Sequence, residues 1–377
     1  MTTTSGTTVE LPPMYTPFPS GVNPAVDVLT EEGLAWMRSL GLRAGDWEGK
    51  VVRTASGLFC SRVSPRAPAE LLRLQVDLTY LGFLLDDLWQ ETDNRLPTVQ
   101  DGNAHSAAFM HALRTGDGSI ADAAPFGPAA ADLGRRIRRN ATEAQVRGLL
   151  DAMDSCNLAV AWQVAYSHRK TTPDLNTLLA YRTVCCGGAL VSPWFSMYLD
   201  TARRDVVTAG TFNAMSMYAF IRATWAVAAF DNDIVSYGKE ERGNRRHGGS
   251  VAPHNIVGAI AAIDDVDLAT AMRRAAVMRN ALVLRVVELR ERVLAETTDP
   301  VEAVERYLDN YCTMISGNLD WSLECDRYRD PEHPEGPITF VRQVMTDPPR
   351  TAGPLPYPAV RWLWSEPGSQ AVEHGGQ

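Results

Sequence analysis

The stretch from Leu74 to Glu91 constrains the fold more than any other part of the chain. At 100° per residue, Leu74, Leu78, Leu81, Leu85 and Leu88 share one helical face, an ordinary core stripe. Val76, Tyr80, Phe83, Asp87, Gln90 and Glu91 fall roughly opposite, with Asp86 at their flank. A lone Asp-Asp pair is most often a solvated face. Tyr80 and Phe83 argue against solvent here, because a wet face rarely carries two aromatics. The sharper reading is a helix between a packed core and a cavity that has an aromatic wall and a carboxylate rim. Clustered carboxylates repel one another unless a cation or proton intervenes. Hard oxygen ligands at this density suit Mg²⁺ held together with a phosphate.

The chain has 377 residues and 45% hydrophobic content, enough for a large core in one big domain or two. Its formal charge is -9 and no Lys/Arg-rich block dominates, which argues against a nucleic-acid surface. The cysteines Cys60, Cys156, Cys185, Cys186, Cys312 and Cys325 form no CxxC pair and no zinc spacing. Free thiols in a reducing cytoplasm are the simplest reading. The N-terminus lacks a basic start followed by an apolar run, so no signal peptide is visible. The apolar stretch 215–230 is interrupted by Arg222 and is too short to span a bilayer. The chain is therefore expected in the cytoplasm.

Residues 1–24 read as a loop or arm, with Pro12, Pro13, Pro17, Pro19 and Pro24 blocking helix. From 25 to 330 helix signals dominate, with amphipathic runs at 31–39, 68–90, 128–150, 155–168, 175–199, 207–237, 256–263, 268–296 and 301–325. Alternating strand patterns are weak and no fixed repeat is evident, so the class is all-α. From 331 to 377 the composition shifts to Pro, Gly and charge, with short apolar patches at 338–344 and 360–364. That tail is expected to be irregular or partly disordered.

A second loaded element runs from Asp231 to Glu241. Asn232, Ser236 and Glu240 lie at i, i+4 and i+8, one stripe of amide, hydroxyl and carboxylate oxygens, with Lys239 beside it. The set suits Mg²⁺, and the ammonium suits an anion on the same metal. A polar helix end with its own network is the plain alternative. Downstream, Arg327 and Tyr328 could hydrogen-bond a phosphate, although an Arg-Tyr pair alone is uninformative. Upstream, Arg182 precedes Cys185, Cys186, Gly187 and Gly188. The paired glycines suggest either a helix break with exposed carbonyls or close helix packing. Cys185 and Cys186 look like small apolar packers.

Together these residues resemble the bacterial class I terpene synthases. The resemblance covers roughly residues 15–330 and rests on four elements in the family's order. They are the aspartate-rich motif from Asp86 and Asp87 to Glu91, the triad Asn232, Ser236 and Glu240 with Lys239, the pair Arg327 and Tyr328, and Arg182 as the diphosphate-sensing arginine. Trp36 with Gly41 and Leu42 also looks like the family's opening helix. The resemblance implies a single helical terpenoid-synthase bundle around a central cavity, spanning 25–330. It implies three Mg²⁺ ions held by Asp86, Asp87, Glu91, Asn232, Ser236 and Glu240. Arg182, Lys239, Arg327 and Tyr328 would then contact the diphosphate. By position, Cys185 and Cys186 match the family's linker and effector carbonyl. Phe59, Tyr80, Phe83 and Trp321 match its cavity aromatics, whose faces stabilise a carbocation. The segment 242–250, with Arg245, Arg246 and His247, would close over the diphosphate.

The implied activity is ionisation and cyclisation of an acyclic polyprenyl diphosphate to a cyclic terpene plus pyrophosphate. Farnesyl diphosphate is favoured on family frequency, with geranylgeranyl diphosphate next. A chain-elongating isoprenyl diphosphate synthase would carry a second Asp-rich motif where Asn232, Ser236 and Glu240 stand. A non-catalytic helical binding protein is the other alternative, and the intact ligand positions argue against it. No DxDD-type acid of a class II cyclase is present. The expected partner is the small-molecule diphosphate, with no nucleic acid and no membrane span. A homodimer stays open.

Overall fold

The computed structural model describes residues 6–40, 47–89, 99–120, 126–169, 171–199, 207–246, 254–333, 335–350 and 353–365. The chain begins with strand β1 (Thr7–Tyr15) and helices α1 (Val26–Ser39), α2 (Trp47–Thr54), α3 (Ser56–Val63), α4 (Ala69–Trp89) and α5 (Val99–Thr115). Next come α6 (Gly127–Asn140), α7 (Glu143–Arg169), α8 (Leu175–Arg182), α9 (Gly187–Val191), α10 (Trp194–Met197) and α11 (Ala209–Phe212). The long helices α12 (Met215–Arg246) and α14 (Leu268–Glu296) flank the short α13 (Ile256–Asp264), and the long α15 (Val301–Glu324) follows. The chain closes with α16 (Asp326–Arg329), strand β2 (Ile338–Met345), α17 (Pro358–Arg361) and a 3₁₀ turn, Trp362–Trp364. The expected all-α class holds for the helical core.

The two-faced helix of the sequence is α4. Its leucine face, including Leu74, Leu78, Leu81 and Leu85, is buried in a core that runs through the bundle. α12 packs on α14 and α15, and α15 in turn packs on α3. The α3–α15 approach needs Gly317, because a Cβ there would overlap the Arg62 carbonyl. Helix starts follow local chemistry. Asp174, Asn255 and Asp267 cap α8, α13 and α14 by accepting from backbone N–H groups of the first turn.

Several expectations need correction. The run 128–150 is broken at Ala141–Thr142 between α6 and α7, and 175–199 is cut into α8, α9 and α10. The segment 242–250, expected as a loop closing over the diphosphate, is helical in α12 as far as Arg246. His247 and 248–250 lie outside the described residues, as do the side chains of Arg245 and Arg246. Within the 1–24 arm, β1 is a strand, and it pairs in parallel with β2 from the expected irregular tail, Thr7 opposite Ile338. Pro12 and Pro13 are accommodated because each strand is an edge, and the register shifts between Leu11 and Met14. Farther along the tail, Leu363 is buried, its carbonyl accepts from Arg285 Nε at 2.8 Å, and the Ala359 N–H donates to Asn176 Oδ1 at 2.8 Å.

Candidate active site

The C-terminal end of α4 delivers Asp86 and Asp87, and the short α16 delivers Arg327 against them. Arg327 Nη2 donates to Asp86 Oδ2 at 3.0 Å, and Nη1 stands 2.7 Å from Asp87 Oδ1. Asp87 is buried, whereas the Asp86 side chain keeps 35% exposure, so Asp86 is the carboxylate that faces outward. Glu91 lies outside the described residues. The Arg327 guanidinium also lies 4.9 Å from the Phe83 ring centroid, a cation–π contact.

Opposite, α12 presents the Asn232, Ser236 and Glu240 stripe. Ser236 Oγ donates to Glu240 Oε1 at 2.5 Å, so hydroxyl and carboxylate oxygens are adjacent. Asn232 sits between two neighbours: its Oδ1 accepts from Arg182 Nη2 at 2.5 Å and its Nδ2 donates to Tyr328 OH at 2.7 Å. A polar chain therefore links Arg182, Asn232 and Tyr328, and α16 continues it to Arg327 and the α4 acids. Burial lifts the Tyr328 phenol well above its ordinary range, so it stays protonated and able to donate. Lys239 is close enough for its charge to act on the Cys325 thiol, on the α16 side of the stripe.

Helix α8 ends at Arg182, and a turn over 183–186 separates it from α9. The glycine pair thus marks a real helix break. Cys186 is extended at the start of α9, where its carbonyl accepts from the Ala189 N–H at 3.1 Å. Its Sγ contacts the Trp225 carbonyl at 3.3 Å, and Cys185 Sγ lies 3.7 Å from Arg182 Nη1. Burial raises both thiols, Cys185 to about 11, so neither is a thiolate nucleophile.

Phe59, Phe83 and Trp321 come together from α3, α4 and α15. Their ring centroids are 5.8 Å (Phe59–Phe83), 4.7 Å (Phe59–Trp321) and 5.4 Å (Phe83–Trp321) apart. Trp321 is anchored by its Nε1–H, which donates to the Thr54 carbonyl at 2.9 Å, and it meets Tyr328 edge-on at 5.5 Å. Tyr80 does not join them. It is turned about 60° further round α4 than Phe83 and packs against Gly33 of α1, where a Cβ would come 2.6 Å from its ring. The expectation of a cavity role for Tyr80 is corrected to core packing. Beside Phe83, a Cβ at Gly82 would meet Leu190 of α9 at 3.8 Å, an ordinary contact, so a larger side chain could be accommodated at this approach of α4 to α9.

The sequence reading missed several members of this constellation. Asp233 is buried and accepts from Arg182 Nε at 2.8 Å and from the Ile256 N–H at 2.7 Å. Burial pushes its carboxyl up to about 6, against the pull of Arg182. Asn255 Nδ2 donates both to the Asp233 carbonyl at 2.8 Å and to Glu240 Oε2 at 3.0 Å, orienting the Glu240 carboxylate. His254 Nδ1 meets Tyr181 OH at 3.0 Å, and burial lowers its pKa to about 4. Only Asp233 left a sequence signal, as the second acid flanking Asn232. An open groove of about 580 Å³, lined by Arg114, Arg138 and Asp154 among others, shares no residue with this constellation. Its Arg114 is paired with Asp154 at 2.7 Å.

The oxygens fit a hard divalent cation. Among the described residues no group of three His, Cys, Asp or Glu forms. A cation at α12 would instead meet the Asn232 amide, the Ser236 hydroxyl and the Glu240 carboxylate, an all-oxygen set of the kind Mg²⁺ accepts.

Residues 77–285 match the family described as terpene synthase family 2, C-terminal metal binding, a span that includes Asp86, Arg182 and the α12 stripe. Phomopsene synthase of Allokutzneria albata is 29% identical over 368 residues, covering 96% of this chain and 98% of that protein. The (2E,6E)-farnesyl diphosphate cyclizing 4-epi-cubebol synthase of Streptosporangium roseum is 27% identical over 324 residues, 85% of this chain and 93% of that one. Among solved structures, the SVS_A2 protein from ancestral sequence reconstruction is similar at TM-score 0.75 and 26% identity, over 94% of this chain and 98% of its own. Hedycaryol synthase, at 20% identity, shares the fold with TM-score 0.68, over 83% of this chain and 100% of its own.

Proposed function

The chain belongs to the bacterial class I terpene synthase family, and from that premise we propose that it ionises and cyclises an acyclic C15 or C20 prenyl diphosphate in a Mg²⁺-dependent reaction. The observation that carries this reading is the convergence of Arg182, Asn232, Tyr328 and Arg327 with Asp86 directly beside the Phe59, Phe83 and Trp321 rings. A charged end and an apolar aromatic end adjoin, as a prenyl diphosphate requires.

Asp86, Asp87, Asn232, Ser236 and Glu240, with Glu91, would hold three Mg²⁺ ions. The ions supply electrostatic stabilisation of the departing pyrophosphate. Arg327 neutralises Asp86 and Asp87, and Arg182 neutralises Asp233. With a diphosphate bound, these guanidiniums would donate to its oxygens, and Asp86 would be among the residues that hold Mg²⁺. Tyr328 donates to the same leaving group, and Lys239 adds charge on that side. Together they lower the barrier to allylic C–O ionisation by holding charge where it develops. The resulting cation would be met by the Phe59, Phe83 and Trp321 rings, where each favourable ring contact contributes about 0.5–2 kcal/mol. A site lined this way excludes the water that would quench the cation.

Relatives whose names specify both farnesyl diphosphate cyclisation and diterpene cyclisation span the two chain lengths, and farnesyl diphosphate is taken first. The test is incubation of the purified protein and Mg²⁺ with C10, C15, C20 and C25 diphosphates, with and without isopentenyl diphosphate, followed by mass spectrometry of the hydrocarbon extract. A cyclic hydrocarbon or alcohol from C15 or C20 is expected. A longer diphosphate formed only with isopentenyl diphosphate would reassign the chain to elongation. No pyrophosphate release from any substrate would leave a binding protein.

A further inference from the structure

Helix α12 carries two stripes. Asp231, Gly238 and Arg242 fall within about 40° of one another, and Asn232, Ser236 and Glu240 lie about 100–180° further round from Asp231. The first stripe meets the β1–β2 ribbon. Gly238 is apposed to Ile338 of β2 and Val9 of β1, where a Cβ would come 3.1 Å and 3.9 Å from their side-chain ends. One turn on, Arg242 is buried and donates from Nη1 to the Gly336 carbonyl at 2.9 Å and from Nη2 to Thr7 Oγ1 at 2.7 Å. Gly336 adopts φ 84°, a left-handed conformation that favours glycine, in the turn that leads into β2. At the other end of the stripe, Asp231 is bound by Arg279, which also holds the Thr16 hydroxyl at 3.1 Å just beyond β1.

A glycine inside a helix costs about 0.5–1 kcal/mol relative to alanine. At 238 it lets the ribbon lie directly on the helix, between the turns that carry Ser236 and Glu240. Two chain ends thus grip the metal-facing helix from behind. An oxygen about 5 Å from the helix axis moves by about 1 Å for roughly 10° of rotation, which exceeds the tolerance of about 0.5 Å for a functional constellation.

We infer that the β1–β2 ribbon sets the rotation of α12, with Gly238 and Arg242 as positioning residues for the Asn232, Ser236 and Glu240 oxygens. This rests on the reading of those oxygens as the metal–diphosphate site. Neither residue touches substrate; each acts through the helix it clamps.

The test is calorimetric binding of inorganic pyrophosphate in the presence of Mg²⁺ to the full chain, compared across Gly238→Val, Ile338→Ala, the double variant and Arg242→Met. Gly238→Val wedges the ribbon away and is expected to weaken binding about tenfold or more. Ile338→Ala makes room for the added methyls, so the double variant is expected to recover to within about threefold of the wild type, a coupling that simple destabilisation would not produce. Arg242→Met keeps the apolar stem, loses both donors and is expected to weaken binding in the same direction; it carries the test if Gly238→Val does not fold. Wild-type affinity in both Gly238→Val and Arg242→Met overturns the inference while leaving the site reading intact. A double variant as weak as Gly238→Val also overturns it. Absence of Mg²⁺-dependent pyrophosphate binding by the wild type overturns the site reading and the inference together.

Discussion

Replacing Arg279 by methionine gives the most quantitative test of how this fold is held. Arg279 and Asp231 both have 0% side-chain exposure, with Nε 2.8 Å from Oδ1 and Nη2 3.3 Å from Oδ2. The same guanidinium donates to the Tyr15 carbonyl and to Thr16 Oγ1, so one side chain joins α12, α14 and the end of β1. Methionine fills similar volume but leaves the Asp231 carboxylate buried without its counter-ion. Breaking a buried pair from one side costs about 3–5 kcal/mol, and the lost bonds to the arm place this case toward the upper end. Against a total stability of about 5–15 kcal/mol, that is a third or more. Urea unfolding followed by far-ultraviolet circular dichroism reads the loss directly. With a slope of about 3 kcal/mol/M, the midpoint falls by about 1 M or more. The companion double variant, Asp231→Leu with Arg279→Met, removes the stranded charge and should regain most of the lost midpoint, because well-packed apolar pairs often match buried ion pairs. A single-variant loss below about 1 kcal/mol, or a double variant no better than the single, would refute this account of the Asp231–Arg279 pair.

Two further predictions follow from the site. Asn232→Ala and Glu240→Ala should each lower turnover at least about 100-fold while the circular dichroism spectrum is unchanged, because each deletes an oxygen of the set proposed to hold Mg²⁺; near-normal turnover in both sinks the metal assignment. His254 is held neutral with its pKa lowered from 6.5 to about 4, by burial first and by the Arg182 charge second. A depressed histidine contributes stability that is fully present above about 6.5 and is lost as pH falls toward 4, about 3 kcal/mol across the window. His254→Gln, which keeps an acceptor for Tyr181, should flatten the pH dependence of the urea midpoint between pH 6.5 and 4; an unchanged slope counts against it.

The legible parts of the sequence were those where periodicity and chemistry coincide. The Leu74 to Leu88 stripe gave α4, and the long runs at 268–296 and 301–325 match α14 and α15 almost residue for residue. Asp86 and Asn232 could be read because each follows an apolar helical run, where a polar group has no packing reason to be; Arg327, uninformative beside Tyr328 alone, was legible only through the family resemblance. α2 and α3 were not read, being eight residues each and separated only by Ala55 in a left-handed conformation, too short for a period to register. Tyr80 was misassigned because a helical wheel ranks angles but not neighbours; Gly33, far upstream, decides which wall the ring meets. Asn255 and His254 carry no local signal at all, since their roles arise only when α13 folds back onto α12. The ribbon was hidden for a related reason. Pro12 and Pro13 read as helix blockers in a loop or arm, and only the pairing partner, from the C-terminal tail, makes an edge strand of them.

That pairing also has a bearing on how the protein is made. Thr7 finds Ile338 only after nearly the whole chain has left the ribosome. During synthesis β1 is an unpaired edge, and α12 and α14 can dock before anything holds α12 from behind. Contacts between such distant positions are slow to close, so the ribbon is expected to be the last element to form. A chain cut short before residue 338 would retain most of its helices yet leave β1 open to pairing with other molecules.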